Sequence, residues 1–317
     1  MTDPLQIAVI GGGLMGHGIA LTFARSGHHV AVFDPDTAMR DSLHARVRES
    51  LDLLGCAAAE IARTPTNISV TDKLDAALGT ADIVFEAAPE KLDLKQSLFA
   101  QVEAHAPETA ILASNTSVMP ITRIVEGLSH RHRALGTHWW NPPHMIPLVE
   151  VVKTEWTSDG VAKTMMELLA GVGKTPALVE RDVPGFIGNR LQHALWREAI
   201  NLVEQGICSA QAVDDVVKSS FGRRLAVLGP LENADLVGLE LTQDIHRQVL
   251  FDLDARPDPS PLLQSLVDKG HTGMAAGQGL RAWGPDDLAN TKQRIAEHLL
   301  ALDRILEADN ADVGNIT

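Results

Sequence analysis

His138 and Glu150 are the two residues best placed to move a proton. His138 lies in Gly136-Thr137-His138-Trp139-Trp140-Asn141-Pro142-Pro143, and Glu150 follows in Met145-Ile146-Pro147-Leu148-Val149-Glu150-Val151-Val152. Imidazole is the side chain that exchanges protons most readily near neutral pH. If the two apolar runs are neighbouring strands, the Glu150 carboxylate accepts the Nδ1–H of His138. That fixes the tautomer and raises the basicity of Nε2, as an orienting carboxylate does for other general-base histidines. One histidine among 13 would more often be structural. The company of Asn141, two prolines and Glu150 sets this one apart.

A second group could bind a dinucleotide. Ile7-Ala8-Val9-Ile10 runs into Gly11-Gly12-Gly13-Leu14-Met15-Gly16, which fits G-x-G-x-x-G with glycines at 11, 13 and 16. The first glycine makes a tight turn, the second lets backbone approach a pyrophosphate, and the third lets helix pack on strand. A helix from Met15 to about Ser26 would then point its N-terminus at the phosphates. The next apolar run, His29–Phe33, ends in Asp34. A carboxylate at that distance accepts hydrogen bonds from the ribose hydroxyls of NAD and repels the extra phosphate of NADP. The expected cofactor is therefore NAD, with Gly11, Gly13, Leu14, Met15, Gly16 and Asp34 on it.

These residues need a scaffold that brings strand ends together. Candidate strands are Ile7–Ile10, His29–Phe33, Ile83–Glu86, Ala110–Ala113, Ala134–His138 and Val149–Lys153, with helix-like stretches between them. One of those stretches, Asp36 to about Leu54, has helical periodicity. Alternating strands and helices predict βαβ units and a mostly parallel sheet, a Rossmann-type doubly wound α/β domain. His138 would then lie at the C-terminal end of a strand, the edge where such sheets bind ligands. The pattern changes around Asp182-Val183-Pro184-Gly185. Beyond it Arg190–Gln205, Ala210–Lys218 and Thr291–Glu307 read as helices without strand alternation. We expect a nucleotide-binding domain over 1–183 and an all-α domain over 184–317, with the polar tail from about Asp309 frayed.

Composition narrows the function. The formal charge of −14 disfavours nucleic acid and acidic membrane surfaces, both polyanions. No apolar run approaches the roughly 20 residues a membrane span requires. Cys56 and Cys208 form no disulfide or metal-ligand pattern, so no metal is expected and a cytoplasmic location is the default. The chain has no tyrosine. Any hydride transfer must therefore work without a tyrosine acid.

Taken in order, the glycine motif, Glu86-Ala87-Ala88-Pro89-Glu90, Ser114-Asn115-Thr116-Ser117, His138 through Glu150, and Pro184-Gly185-Phe186-Ile187-Gly188-Asn189-Arg190 resemble the 3-hydroxyacyl-CoA dehydrogenase family. The resemblance runs over at least residues 5–285. It implies an NAD-dependent alcohol oxidation with His138 as general base, Glu150 as its partner, and Ser117 and Asn189 as donors to the reacting oxygen. It also implies Glu90, Lys95 and Asn115 on the nicotinamide side, and a homodimer through the helical domains.

The chain departs from the family's CoA users in three places. Asp36–Glu60 lacks their lysine-rich character and offers arginines such as Arg46 and Arg48, with Arg63 just beyond, interspersed with Asp41, Glu49, Asp52 and Glu60. CoA is a polyanion and needs a local basic patch. Two prolines follow Asn141, and Ile146-Pro147 precedes Leu148-Val149-Glu150. Phe221-Gly222-Arg223-Arg224-Leu225 opens a longer turn than CoA users have. These features resemble the branch with lambda-crystallin/L-gulonate 3-dehydrogenase, carnitine dehydrogenase and a dehydrogenase of pyridine-carboxylate catabolism. That branch implies a small free 3-hydroxy acid, with Asn141, Ser117 and Asn189 on the substrate and Arg223 or Arg224 holding its carboxylate. The acyl thioester stands as the alternative substrate. A non-catalytic NAD-binding structural or sensor protein is the alternative of another class, disfavoured because cofactor binding alone requires neither His138 nor Glu150.

Overall fold

The computed structural model describes residues 3–314, with side chains through Leu306. It contains eight strands: β1 (Gln6–Ile10), β2 (His29–Phe33), β3 (Ile68–Thr71), β4 (Ile83–Glu86), β5 (Ile111–Ser114), β6 (Ala134–Trp139), β7 (Leu148–Val152) and β8 (Thr175–Val179). They form a single sheet in the order β3-β2-β1-β4-β5-β6-β7-β8. Neighbours are parallel except β6 and β7, which pair antiparallel. The reversal follows from the connection Trp140–Pro147, which is too short for a crossover helix and so permits only a hairpin return.

All six anticipated strands form. Two more, β3 and β8, complete the two edges of the sheet. β3 has four residues and only Ile68 is buried, while β8 carries Pro176, which an edge strand tolerates because one side of its ladder is unpaired. Both lack the apolar run that marks an interior parallel strand. The chain from Asp287 is helical to Gly314, so the tail expected to fray from about Asp309 continues a helix.

Each face of the sheet carries its own core, because successive side chains of a strand point to opposite sides. In β1, Ile7 and Val9 pack with Phe23, Phe85, Trp139 and Leu43 on one face, and Ala8 and Ile10 pack with Val84, Leu112, Phe99 and Ile124 on the other. Phe23 stacks on Phe85 with ring centroids 4.9 Å apart, and Trp139 closes on both edgewise at 6.0 and 6.1 Å.

The chain divides into two compact units. One runs to Arg190 and takes in the residues from Ile295 onward; the other is Leu191–Arg294. The second unit holds the helices Ala210–Ser219, Pro230–Val237, Leu239–Val249 and Pro261–Asp268. Among its residues only Asn201 and Gly279 are buried, whereas Leu231 and Phe251 are each 80% exposed and Val227 76%.

Candidate active site

The register of β6 and β7 places His138 directly opposite Glu150. Imidazole Nδ1 lies 2.7 Å from Glu150 Oε2, and both residues are buried. The other carboxylate oxygen, Oε1, accepts the backbone N–H groups of Ile187 at 2.8 Å and Gly188 at 3.0 Å. Burial pushes the Glu150 carboxyl upward, but the hydrogen bonds from His138, Gly188 and Ile187 outweigh it and hold the group below its ordinary range. An ionised carboxylate only accepts, so the proton of the pair sits on His138 Nδ1, and in the neutral imidazole the lone pair is then on Nε2, placed to act as a base. Among the described residues no protein group bonds Nε2.

The two amides reach Glu150 through an unusual bend. Gly185 has φ 74° and Phe186, which is not glycine, has φ 51°. That left-handed pair turns the chain so that the helix Gly188–Glu204 starts against the carboxylate. Phe186 and Trp140 flank the imidazole, with ring centroids 5.6 and 5.3 Å away. A Cβ at position 188 would come within 2.5 Å of Trp140 Cζ2, so glycine there is what lets the indole lie close. Of the two adjacent tryptophans, Trp139 is core and Trp140 faces the dyad.

The glycine turn occupies the same edge, at the end of β1, where the sheet order reverses between β1 and β4. Gly11 has φ 99°, and a side chain there would strike the Ala87 carbonyl at 2.7 Å. A Cβ at Gly16 would overlap the Gly11 carbonyl, so helix and turn pack backbone to backbone. At Gly13 a Cβ would meet nothing within 4 Å, leaving open the space a phosphate needs. The helix Leu14–Arg25 points its N-terminus there. Asp34 is buried, accepting the Gly12 N–H on Oδ2 at 2.7 Å and the Asp36 N–H on Oδ1 at 2.8 Å. Capping of the helix Thr37–Leu53 falls to Asp36, not Asp34. The turn, the open cradle and the carboxylate twenty residues on fit an adenine dinucleotide.

Between turn and dyad lies an ionic network centred on a buried lysine. Lys95 is only 1% exposed and donates to Glu86 Oε1 at 2.7 Å and to the Ala88 carbonyl at 3.1 Å. It lies 3.5 Å from Glu90 Oε2. Glu90 in turn accepts the Thr116 hydroxyl and the Ser117 N–H, the latter at 2.6 Å. Asn189 Nδ2 donates to the Ser117 carbonyl at 2.8 Å, and Asn115 Oδ1 accepts the Trp139 N–H at 3.0 Å. A chain of hydrogen bonds therefore ties Glu90, Lys95, Ser117 and Asn189 together, and Asn115 to the strand that carries His138.

Some residues fall outside this cluster. Asn141 is exposed in the β6–β7 connection. Arg223 and Arg224 belong to the second unit, are exposed, and make no side-chain hydrogen bond or ion pair among the described residues. Sequence reasoning passed over Glu86 as a site residue. A carboxylate ending the apolar run Ile83-Val84-Phe85, nine residues before Lys95, is the signal that could have found the pair. No group of three or more metal-ligating side chains occurs among the described residues.

Two family models together span most of the chain: the 3-hydroxyacyl-CoA dehydrogenase NAD-binding domain matches residues 6–183, and the C-terminal domain of the same family matches 185–283. A 5-formyl-3-hydroxy-2-methylpyridine 4-carboxylate 5-dehydrogenase from Mesorhizobium japonicum is 34% identical over 305 residues, covering 95% of this chain and 98% of the relative. An L-carnitine dehydrogenase from Streptomyces griseus is 38% identical over 241 residues, 75% of this chain and 71% of the relative. Among solved structures, a 5-formyl-3-hydroxy-2-methylpyridine 4-carboxylic acid 5-dehydrogenase, described as an NAD+-dependent dismutase, superposes with TM-score 0.88 at 32% identity, over 96% of this chain and 99% of that one.

Proposed function

The chain belongs to the 3-hydroxyacyl-CoA dehydrogenase family and is an NAD-dependent oxidoreductase acting on CH–OH donors; from that premise we propose that it oxidises the hydroxyl of a small free 3-hydroxy acid with His138 as general base. The observation that carries the proposal is the buried 2.7 Å pair of His138 with a carboxylate held ionised on the cofactor edge.

His138 Nε2 takes the hydroxyl proton, and the imidazolium that results is stabilised by Glu150 across Nδ1. Bound NAD supplies the hydride acceptor. In the reverse direction protonated His138 returns the proton, while the Ser117 hydroxyl and the second N–H of Asn189 steady the charge growing on oxygen. Trp140 and Phe186 shield the imidazole from water. Gly11, Gly13, Leu14, Met15, Gly16 and Asp34 hold the adenylate half of the cofactor. Glu90, Lys95 and Asn115 border the nicotinamide, with Lys95 balancing the Glu86 and Glu90 carboxylates.

A free acid is favoured over a thioester by how two of the arginines after β2, Arg40 and Arg46, are used. Arg40 spends Nη1 on the carbonyls of Asp34 and Pro35, and Arg46 turns to the carbonyls of Gly12, Gly13 and Met39. Neither presents a free guanidinium to the phosphates of CoA. The relatives named for carnitine and for a pyridine carboxylate point the same way. Asn141, exposed in the β6–β7 connection, supplies a further polar contact. The test is NADH production from 3-hydroxybutyryl-CoA beside free 3-hydroxybutyrate, L-gulonate, carnitine and hydroxymethyl-pyridine carboxylates. Turnover of a free acid is expected; turnover of the thioester alone would overturn the substrate assignment.

The nucleotide domain ends at 183 and the helical domain begins at 184, and the helical domain makes the chain a homodimer in the cytoplasm. The stretch Leu191–Arg294 buries no apolar side chain of its own. A domain of that size needs a covered core to be stable. A second copy, presenting the same apolar helices, covers it by a two-fold interface. Sedimentation should find a dimer at working concentrations, with an unfolding midpoint that rises with protein concentration. A monomer with a concentration-independent midpoint would refute it. No helix among the described residues is long and apolar enough to cross a membrane.

A further inference from the structure

Arg46 extends from the helix Thr37–Leu53 back to the glycine turn. Its Nη2 donates to the carbonyls of Gly12 at 2.7 Å and Met39 at 3.0 Å, and Nη1 reaches the Gly13 carbonyl at 3.3 Å. On the other side, the Gly12 N–H donates to Asp34 Oδ2 at 2.7 Å. Gly12 is thus held at both ends, its amide by a carboxylate and its carbonyl by a guanidinium. The Gly13 carbonyl also accepts the His17 N–H at 3.1 Å.

In a planar trans peptide the C=O of one residue and the N–H of the next point in opposite directions. With the Gly12 and Gly13 carbonyls drawn to Arg46, the N–H groups of Gly13 and Leu14 point away from it, outward at the start of the helix Leu14–Arg25 where a phosphate would bind. We propose that Arg46 is a positioning residue for the cofactor diphosphate, fixing these two peptides and offsetting the charge of Asp34. The Arg46 cation interacts electrostatically with Asp34, so removing it leaves that carboxylate less offset toward an anionic ligand on a protein already at −14.

The proposal builds on the NAD reading, which binding of NAD to the unaltered protein checks separately. Its own test compares Arg46→Met with the unaltered chain by calorimetric titration of NAD, ADP and adenosine. The dissociation constants for NAD and ADP should rise about tenfold, the scale of one charge-assisted contact, while adenosine changes less than about twofold. Arg46→Lys, which restores the charge, should recover part of the ADP affinity. Equal weakening of ADP and adenosine would mean that the turn is merely distorted and would overturn the proposal. So would unchanged ADP binding. If Arg46→Met does not fold, Arg46→Gln, which keeps donors for the carbonyls without the charge, carries the same ADP-to-adenosine comparison.

Discussion

Replacing His138 with alanine should lower kcat by about 10²–10⁴ while NAD still binds with its original affinity. The size follows from the proposed role: general-base catalysis of this kind contributes that range, and no other described residue near the site offers an imidazole bonded to a carboxylate. Cofactor binding should survive because the groups assigned to the adenylate half, the glycine turn and Asp34, make their hydrogen bonds without His138. Alanine leaves Glu150 buried without its imidazole partner, so some stability is lost as well. His138→Gln, which fills more of the space and can donate to Glu150, separates the two effects. It should fold better than the alanine variant and be as slow. Turnover within a few-fold of the original in both would remove His138 as the base, and a parallel loss of NAD affinity would point to a disrupted site instead.

Glu150→Gln should produce a loss of similar order, by a different route. An amide has one accepting and one donating end. If its oxygen keeps the two backbone N–H groups of Ile187 and Gly188, its NH2 faces His138 Nδ1 and forces the ring proton to Nε2, where the base should be. If it turns over, its NH2 meets two N–H donors. Either arrangement costs the site, and kcat at neutral pH should fall by about 10²–10⁴.

The same residue predicts a pH effect on stability. Glu150 is held below its ordinary value of 4.5 in the folded chain. Its ionised form therefore stabilises the fold above that value, and the contribution is lost as pH falls through the lower folded pKa. Urea midpoints measured from pH 5 downward should drop more steeply in the unaltered protein than in Glu150→Gln. Parallel curves would show that the carboxylate is not held ionised by its partners.

The residue order alone made the candidate groups and most of their frame legible. The G-x-G-x-x-G run after an apolar strand and Asp34 at the end of the next were readable because each obeys a local rule, a turn that only glycine permits and a strand end, whereas the His138–Glu150 pair also required β6 and β7 to be neighbours. The interior strands were readable because burial on both faces makes them continuous apolar runs. β3 and β8 escaped because an edge strand can be short, polar or carry a proline.

Tertiary structure decided what depends on partners distant in sequence. The Lys95–Glu86 pair joins a helix to a strand end, and burial at 1% exposure makes it an internal cation instead of a solvated one. Which tryptophan faces the dyad depends on Gly188 leaving room for Trp140. The ionised state of Glu150 depends on two amides nearly forty residues downstream, turned inward by Gly185 and Phe186. By sequence Arg46 counts only among the arginines weighed for the phosphates of CoA; its helix, folded against the glycine turn, directs it to the Gly12 carbonyl instead. In each case the sequence carried the chemical group, but its charge state, exposure or direction was set by contacts that exist only once the chain has closed on itself.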